Sequence, residues 1–161
     1  MNKKGFTVVE VIVSFILISL ILTSLITFAV TYREKIEKER IKTELVDFKN
    51  TITKIVYDDI VSGKLKSIDY CDNNKKCVRF LDQEGNIHEL SYLKIKEKKD
   101  TLEIGEYLIY DDTKYFLPES NNNSFIDGDF NLKKSLEIDN LVIKIKNTQI
   151  NYEDKIMLTI N

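Results

Sequence analysis

The sequence is poor in residues that break helices and in residues that commonly catalyse reactions. Its 161 residues include one proline, Pro118, five glycines, one histidine, His88, and no tryptophan. No proline or glycine lies between Phe6 and Ser62, so nothing in that stretch is expected to stop a helix. With one histidine, no glycine-rich phosphate loop and no recognisable order of Ser, His and Asp, the sequence lacks a catalytic motif. We therefore predict that the protein is not an enzyme.

The sequence also lacks an excess of either charge. It has 24 Lys and Arg residues and 26 Asp and Glu residues, for a net charge of -2. A nucleic-acid-binding surface is usually marked by a strongly basic patch or stripe, and we predict no such site here. The length, with 43% hydrophobic residues, suits one modest domain with an appendage and is too short for two ordinary domains.

The apolar residues are concentrated near the N-terminus. Between Phe6 and Val30 the only charged residue is Glu10, and a helix of about 20 apolar residues is long enough to cross a bilayer. A buried core helix is one interpretation, although such helices are usually shorter and keep a polar side. A secretory signal peptide is another, but its apolar region is shorter, and Thr27 with Ala29 would form a poor cleavage site. We favour a retained membrane helix. Because basic residues lie on both of its sides, their number does not predict its orientation in the membrane.

The helix is predicted to continue beyond the apolar run, from Phe6 to about Val61. Residues 33–40 are rich in charges of both signs, and an apolar stripe at three- and four-residue spacing follows them. The stripe consists of Ile41, Leu45, Phe48, Ile52 and Ile55. It would contact either a coiled-coil partner or the core of the chain's own domain, and we favour the domain core.

From Ser67 onward the apolar period approaches two, which predicts half-buried antiparallel strands. The strands are expected around Val78 and Phe80, Leu93 and Ile95, Leu102 and Ile104, Leu141 to Ile145, and Ile156 to Ile160. Turns are predicted at residues 82–86, 97–100, 111–113 and 147–148, and residues 118–131 are predicted to form an exposed loop. The predicted fold class is α+β, with a long N-terminal helix packed on a C-terminal antiparallel sheet domain.

The segment Lys3-Lys4-Gly5-Phe6-Thr7-Val8-Val9-Glu10 resembles the prepilin processing motif of type IV pilins, type II secretion pseudopilins and competence pseudopilins. The resemblance covers roughly residues 1–32. It implies that a membrane-embedded prepilin peptidase cuts between Gly5 and Phe6 on the cytoplasmic side and that Phe6 is then N-methylated. The C-terminal domain would lie outside the cell membrane, and the subunit would join other pilin-like subunits through an inner-membrane assembly platform.

Glu10 is the unusual residue of the apolar run, because a carboxylate in a membrane segment is costly and is a functional candidate by default. Phe6 and Glu10 are four residues apart, so one chain could pair the new amine of Phe6 with its own Glu10. The resemblance implies instead that Glu10 of one subunit neutralises the amine of a neighbour during assembly. An incidental charge near the membrane surface is the alternative.

The resemblance gives a division of the chain into four parts. Residues 1–5 would be the leader peptide, 6–30 the transmembrane or filament-core helix, 31–62 its amphipathic continuation, and 63–161 the extracytoplasmic β-rich domain. Many major pilins carry a proline in the apolar helix, and its absence here favours a minor pilin or pseudopilin. Such a subunit would serve secretion, DNA uptake, adhesion or motility. The alternatives are a single-pass membrane-anchored binding domain or enzyme, and a secreted binding protein with an unusual signal peptide.

Two further sets of residues could form a disulfide or bind a metal ion. If the domain is extracytoplasmic, Cys71 and Cys77 could form a disulfide, which would stabilise it by about 2 to 2.5 kcal/mol on the chain-entropy model. Two free thiols, or a metal site lacking a full ligand set, are the alternatives. Asp127, Asp129 and Asn131 place oxygen atoms at alternate positions, as calcium loops do, but Asp-Gly is common in turns. We therefore expect no cofactor and keep calcium as a weak candidate, and we predict His88 to be an exposed strand residue.

Overall fold

The computed structural model describes residues 7–62, 65–72, 74–97, 103–120, 123–135 and 138–160. In this part of the chain one long helix precedes a series of antiparallel strands, so the predicted α+β fold class is confirmed. The chain divides into two compact units, Met1–Arg40 and Ile41–Asn161. The boundary lies within the helix, at the residue where the helix starts to bury side chains.

Helix α1 extends from Val8 to Val61 without interruption, close to the predicted range. Its first part is long and apolar enough to cross a membrane, and the apolar stretch has no side chains buried within the structure. Four hydroxyl groups in this part are satisfied within the helix. Ser19, Thr23, Thr27 and Thr31 each donate a hydrogen bond to the carbonyl oxygen four residues earlier, at 2.8–2.9 Å. The hydroxyls therefore leave no unpaired donor in an apolar environment.

The second part of α1 packs onto the strands. The buried stripe is Ile41, Leu45, Phe48, Ile52 and Val56, all at most 8% exposed. The predicted use of the stripe as domain core is confirmed, with a shift at its end, because Val56 is fully buried and Ile55 is only partly buried. One continuous cluster joins this stripe to fully buried residues of the strands, including Val78, Phe80, Leu108, Leu141 and Ile143.

Five strands form an antiparallel sheet in sequential order. They are β1 (Leu65–Cys71), β2 (Asn74–Asp82), β3 (Ile87–Ile95), β4 (Gly105–Tyr110) and β5 (Thr113–Phe116). Each strand pairs with the next through a hairpin-type connection. This is the economical arrangement for short strands separated by turn-forming residues.

A second antiparallel sheet contains four strands. They are β6 (Ser124–Ile126), β7 (Asn131–Lys133), β8 (Asp139–Asn147) and β9 (Tyr152–Ile160). Strand β8 pairs along its whole length with β9, near its start with β7 and near its end with β6. The predicted strands at residues 141–145 and 156–160 are thereby confirmed, and every second residue of β9 from Ile156 onward is buried.

Two sequence predictions are wrong, one about the chain between the two sheets and one about the start of β4. Residues 118–131 do not form an exposed loop, because Ser124, Ile126 and Phe130 are buried and β6 lies within this range. A strand of three residues is too short to show a period in the sequence. The strand predicted around Leu102 and Ile104 begins later, at Gly105; Ile104 is exposed and Leu102 lies outside the described residues.

The turn predictions agree with the structure where the chain is described. Between β2 and β3, Gly85 has a φ of 90°, and the backbone amides of Asp82 and Asn86 each bond to oxygen atoms of the other residue. Between β4 and β5, Asp111 and Asp112 have φ values of 46° and 66°, as a two-residue hairpin turn with two positive φ angles requires. The turn after Asn147 connects β8 to β9. The turn predicted at 97–100 lies mostly outside the described residues.

Candidate processing and assembly segment

The predicted cleavage site lies at the edge of what the structure describes. Gly5 and Phe6 fall outside the described residues, so the geometry of the scissile bond is not part of the structure. The first described residue is Thr7, which is followed directly by the helix starting at Val8. The predicted cut would therefore remove the leader close to the start of α1.

Thr7 and Glu10 form a reciprocal cap at the start of α1. The Thr7 backbone N–H and hydroxyl donate to Glu10 Oε2 at 2.7 Å and 3.0 Å, and the Glu10 backbone N–H donates to Thr7 Oγ1 at 3.3 Å. This is the capping-box arrangement, in which two otherwise unpaired helix-end donors are satisfied. The sequence pattern Thr-x-x-Glu before an apolar run was the signal for it, and the sequence-based interpretation of Glu10 as an assembly charge overlooked this local role.

The cap orients the Glu10 carboxylate toward the N-terminal side of the helix. A negative charge in the first turn is favourable, because the unpaired N–H groups give this end a partial positive charge. Within the described part of the chain, both hydrogen bonds to the carboxylate go to Oε2. The other oxygen, Oε1, accepts no hydrogen bond from a described residue.

Among the described residues of its own unit, the apolar part of α1 has no apolar partner. Its large apolar side chains from Val8 to Val30 are 49% to 76% exposed, which is far more contiguous apolar surface than soluble monomers expose. Such a surface requires lipid or other apolar protein around it. The segment therefore combines a capped carboxylate at its start with an apolar helix that needs an external partner.

A comparison with protein-family models agrees with this geometry. Residues 1–26 match the model described as the prokaryotic N-terminal methylation motif. This match supports a type IV pilin-like prepilin family. Proteins of this kind are structural subunits and not enzymes. No curated protein and no solved structure matches the chain significantly.

The two cysteines of the chain lie together at the β1–β2 hairpin. Cys71 and Cys77 are joined as a disulfide with Cα atoms 5.3 Å apart, and both are buried. Within the described residues, one set of three potential ligands is compact enough to share a metal ion, namely these two cysteines and Glu89. Because the two sulfur atoms are bonded to each other, they are not available as thiolate ligands.

The candidate calcium residues are arranged around a bend between β6 and β7. The Asp127 carboxylate lies 3.0 Å from Lys146 Nζ, and this hydrogen bond raises the pKa of the Lys146 ammonium. Gly128 has a φ of 74°, which suits the turn interpretation. Asp129 and Asn131 are exposed, and calcium binding here remains a prediction.

His88 lies in β3 as predicted, but it is not an exposed strand residue. Its side chain is 22% exposed, and its Nδ1 lies 2.5 Å from Asp111 Oδ2 in the β4–β5 turn. No local sequence pattern indicates this contact, because the two residues are 23 positions apart and meet only when β3 pairs with β4.

Proposed function

We propose that this pilin-like chain is a minor pilin or pseudopilin subunit. A prepilin peptidase would cut it between Gly5 and Phe6, Phe6 would be N-methylated, and the mature subunit would assemble into a type IV pilus-like filament. The observation that carries the proposal is the methylation motif at residues 1–26 running without a break into an exposed apolar helix. The filament would serve secretion, DNA uptake, adhesion or motility.

The proposed location follows from the same helix. Before assembly the chain would be a single-pass cell-membrane protein with residues 1–5 in the cytoplasm and the strands outside, and it would later enter a cell-surface or periplasmic filament. The Cys71–Cys77 disulfide supports this orientation, because structural disulfides persist mainly in oxidising compartments. Its partners would be the peptidase, the inner-membrane assembly platform, other pilin-like subunits and the membrane.

Glu10 is proposed to neutralise the terminal amine of Phe6 on a neighbouring subunit. The support is geometric: the carboxylate lies in the first turn of α1, and Thr7 engages one of its oxygens. An ammonium beyond the helix start would meet the other oxygen as a charge-assisted partner. Pairing of this kind would also remove the cost of a lone carboxylate in an apolar layer.

The preference for a minor subunit over a major one rests on the continuity of α1. The helix has no proline or glycine between Val8 and Val61. No helix-breaking residue therefore promotes melting of the helix in a packed filament. This supports a subunit whose helix stays intact.

Mass spectrometry of the mature N-terminus tests the proposal. The full chain, recovered from cells that contain a prepilin peptidase, should begin at N-methylated Phe6. In a Gly5→Leu control the added side chain should block close approach of the peptidase to the backbone, and Met1 should be retained. An intact Met1 in the wild-type chain would favour a membrane-anchored binding domain, and a start near Val30 would favour a secreted protein.

Replacing Glu10 with alanine should separate processing from assembly. We expect the Glu10→Ala chain to insert into the membrane and to be cleaved normally, while its incorporation into filaments falls by roughly tenfold or more, as expected for one lost charge-assisted contact. Quantitative immunoblotting of sheared filaments and membranes measures this ratio. Glu34→Ala, at an exposed position of the same helix, is the matched control. Normal incorporation of the Glu10→Ala chain would remove the proposed role of Glu10.

A further inference from the structure

Three carboxylates surround His88 at one end of the five-stranded sheet. Asp111 Oδ2 lies 2.5 Å from Nδ1, and Asp82 Oδ2 lies 3.7 Å from Nε2. The third carboxylate, Asp59 in α1, is reached through Tyr110, which lies against the imidazole with ring centroids 6.4 Å apart and donates a hydrogen bond to Asp59 at 2.8 Å. The group therefore links α1 to two turns of the sheet.

The carboxylates are held in place by groups other than His88. Burial alone would raise the pKa of Asp82, but hydrogen bonds from the Asn86 side chain and from turn amides outweigh it and hold the pKa below its ordinary value. Asp111 Oδ1 accepts the Glu89 backbone N–H at 3.0 Å. Burial and the bond to Asp59 raise the pKa of the Tyr110 hydroxyl, so it stays a donor. The negative charges thus stay near the imidazole whether or not it is protonated.

Protonation decides whether His88 places a positive charge against these carboxylates: Asp111 is within hydrogen-bonding distance of Nδ1, whereas Asp82 lies 3.7 Å from Nε2 as a charge contact. A charged imidazole donates from both ring nitrogens, whereas a neutral one donates from one and presents a lone pair at the other. The hydrogen bond to Asp111, with smaller contributions from the charges of Asp59 and Asp82, raises the pKa of His88 above 6.5. Deprotonation would remove the positive charge that faces Asp111 and Asp82, and it would turn a lone pair toward one of the two carboxylates.

We propose that His88, Asp82, Asp111, Tyr110 and Asp59 form a pH-sensitive clip that fastens the β2–β3 and β4–β5 turns beside the C-terminal part of α1. The clip is closed when His88 is protonated and loosens when it is neutral. Because the folded pKa lies above that of the unfolded chain, the stabilisation is fully present below about pH 6.5 and is lost as the pH rises through the folded pKa. The order of the turn region would then respond to the pH outside the membrane, independently of filament assembly.

An NMR titration of the His88 imidazole measures its protonation directly. The chain contains one histidine, so with a purification tag that lacks histidine the imidazole resonance needs no assignment. For the full chain in detergent micelles, we expect a midpoint above 6.5. Asp111→Asn should lower the midpoint. Each tenfold decrease in the equilibrium constant that favours the protonated ring lowers it by one pH unit. Asp112→Asn is the matched control, because Asp112 also has a positive φ in the same turn and is exposed.

Hydrogen exchange of the Thr113–Phe116 amides gives an independent readout. Relative to His88→Gln at the same pH, the wild-type chain should be several-fold better protected at about pH 5, and this advantage should vanish at about pH 9. A wild-type midpoint at or below 6.5, equal shifts for the two asparagine variants, or a pH-independent protection ratio would each overturn the clip. None of these results depends on cleavage at Gly5.

Discussion

Glu106→Ala should lower the free energy of unfolding of the unit Ile41–Asn161 by about 3 kcal/mol, because it leaves a buried amide without a partner and removes buried side-chain atoms. Glu106 is 2% exposed and lies in β4. Its Oε2 accepts the Ile126 backbone N–H at 2.7 Å, and its Oε1 accepts Lys94 Nζ at 2.8 Å. One side chain thereby connects the five-stranded sheet to β6 of the other sheet.

The loss should come mainly from the amide of Ile126 and less from the ion pair with Lys94. The Lys94 side chain is 52% exposed, so water can solvate its ammonium once the carboxylate is gone. The buried Ile126 N–H has no such replacement. We therefore expect Glu106→Gln, which retains an acceptor oxygen of similar position, to lose less than half as much stability as Glu106→Ala.

Near-UV circular dichroism during urea unfolding of the full chain in detergent measures this change. Of the eight tyrosines, only Tyr32 precedes Ile41, so the signal reports on the strand-bearing unit. Glu103→Ala, at an exposed position, should stay within about 0.5 kcal/mol of the wild type. If Glu106→Ala matched this control, the carboxylate would not hold the two sheets together.

Gly105→Ala should destabilise the same unit by a comparable amount, about 3 kcal/mol, through steric overlap and backbone strain. Gly105 begins β4 with a φ of 152°, a conformation that residues with a side chain rarely adopt. A Cβ at this position would overlap Ser120 Oγ and would lie 2.6 Å from Phe116 Cε2. Both neighbours are constrained, since Ser120 Oγ accepts the Glu106 backbone N–H at 2.9 Å and the Phe116 ring packs against Tyr107.

Two other glycines separate the steric part of this effect from the backbone part. Gly85 and Gly128 also have positive φ angles, of 90° and 74°, but a Cβ at either position would meet nothing within 4 Å. Alanine at these positions should cost about 1–2 kcal/mol for the backbone alone. The same urea titration compares the three variants, and equal losses for all three would show that crowding at Gly105 contributes nothing.

Much of the fold could be predicted because its signals are local. The helix followed from the absence of proline and glycine after Phe6, and its buried face followed from the spacing of Ile41, Leu45, Phe48 and Ile52. Strands of nine residues, such as β8 and β9, are long enough to show their alternation. Short strands such as β6 are not, because three residues carry little pattern and are placed by pairing with β8.

The candidate site was predictable to a different extent at each residue. Gly5, Phe6 and Glu10 were found by resemblance, and their roles remain proposals. The cap between Thr7 and Glu10 was readable from the sequence but was overlooked, because Glu10 was considered only as a charge within the apolar run. The surroundings of His88 were not readable, since Asp59 and Tyr110 are 51 positions apart.

The sequence by itself determined the N-terminal motif, the long helix and its division into an apolar and an amphipathic part. These depend on residues within a few positions of each other, where helical geometry sets which side chains are neighbours. Only the tertiary structure decided that Glu106 is buried while Glu103 is exposed, that Gly105 lies against Phe116, and that His88 faces acidic residues. Those contacts depend on strand register, and a shift by one residue would turn each side chain to the opposite face of its sheet.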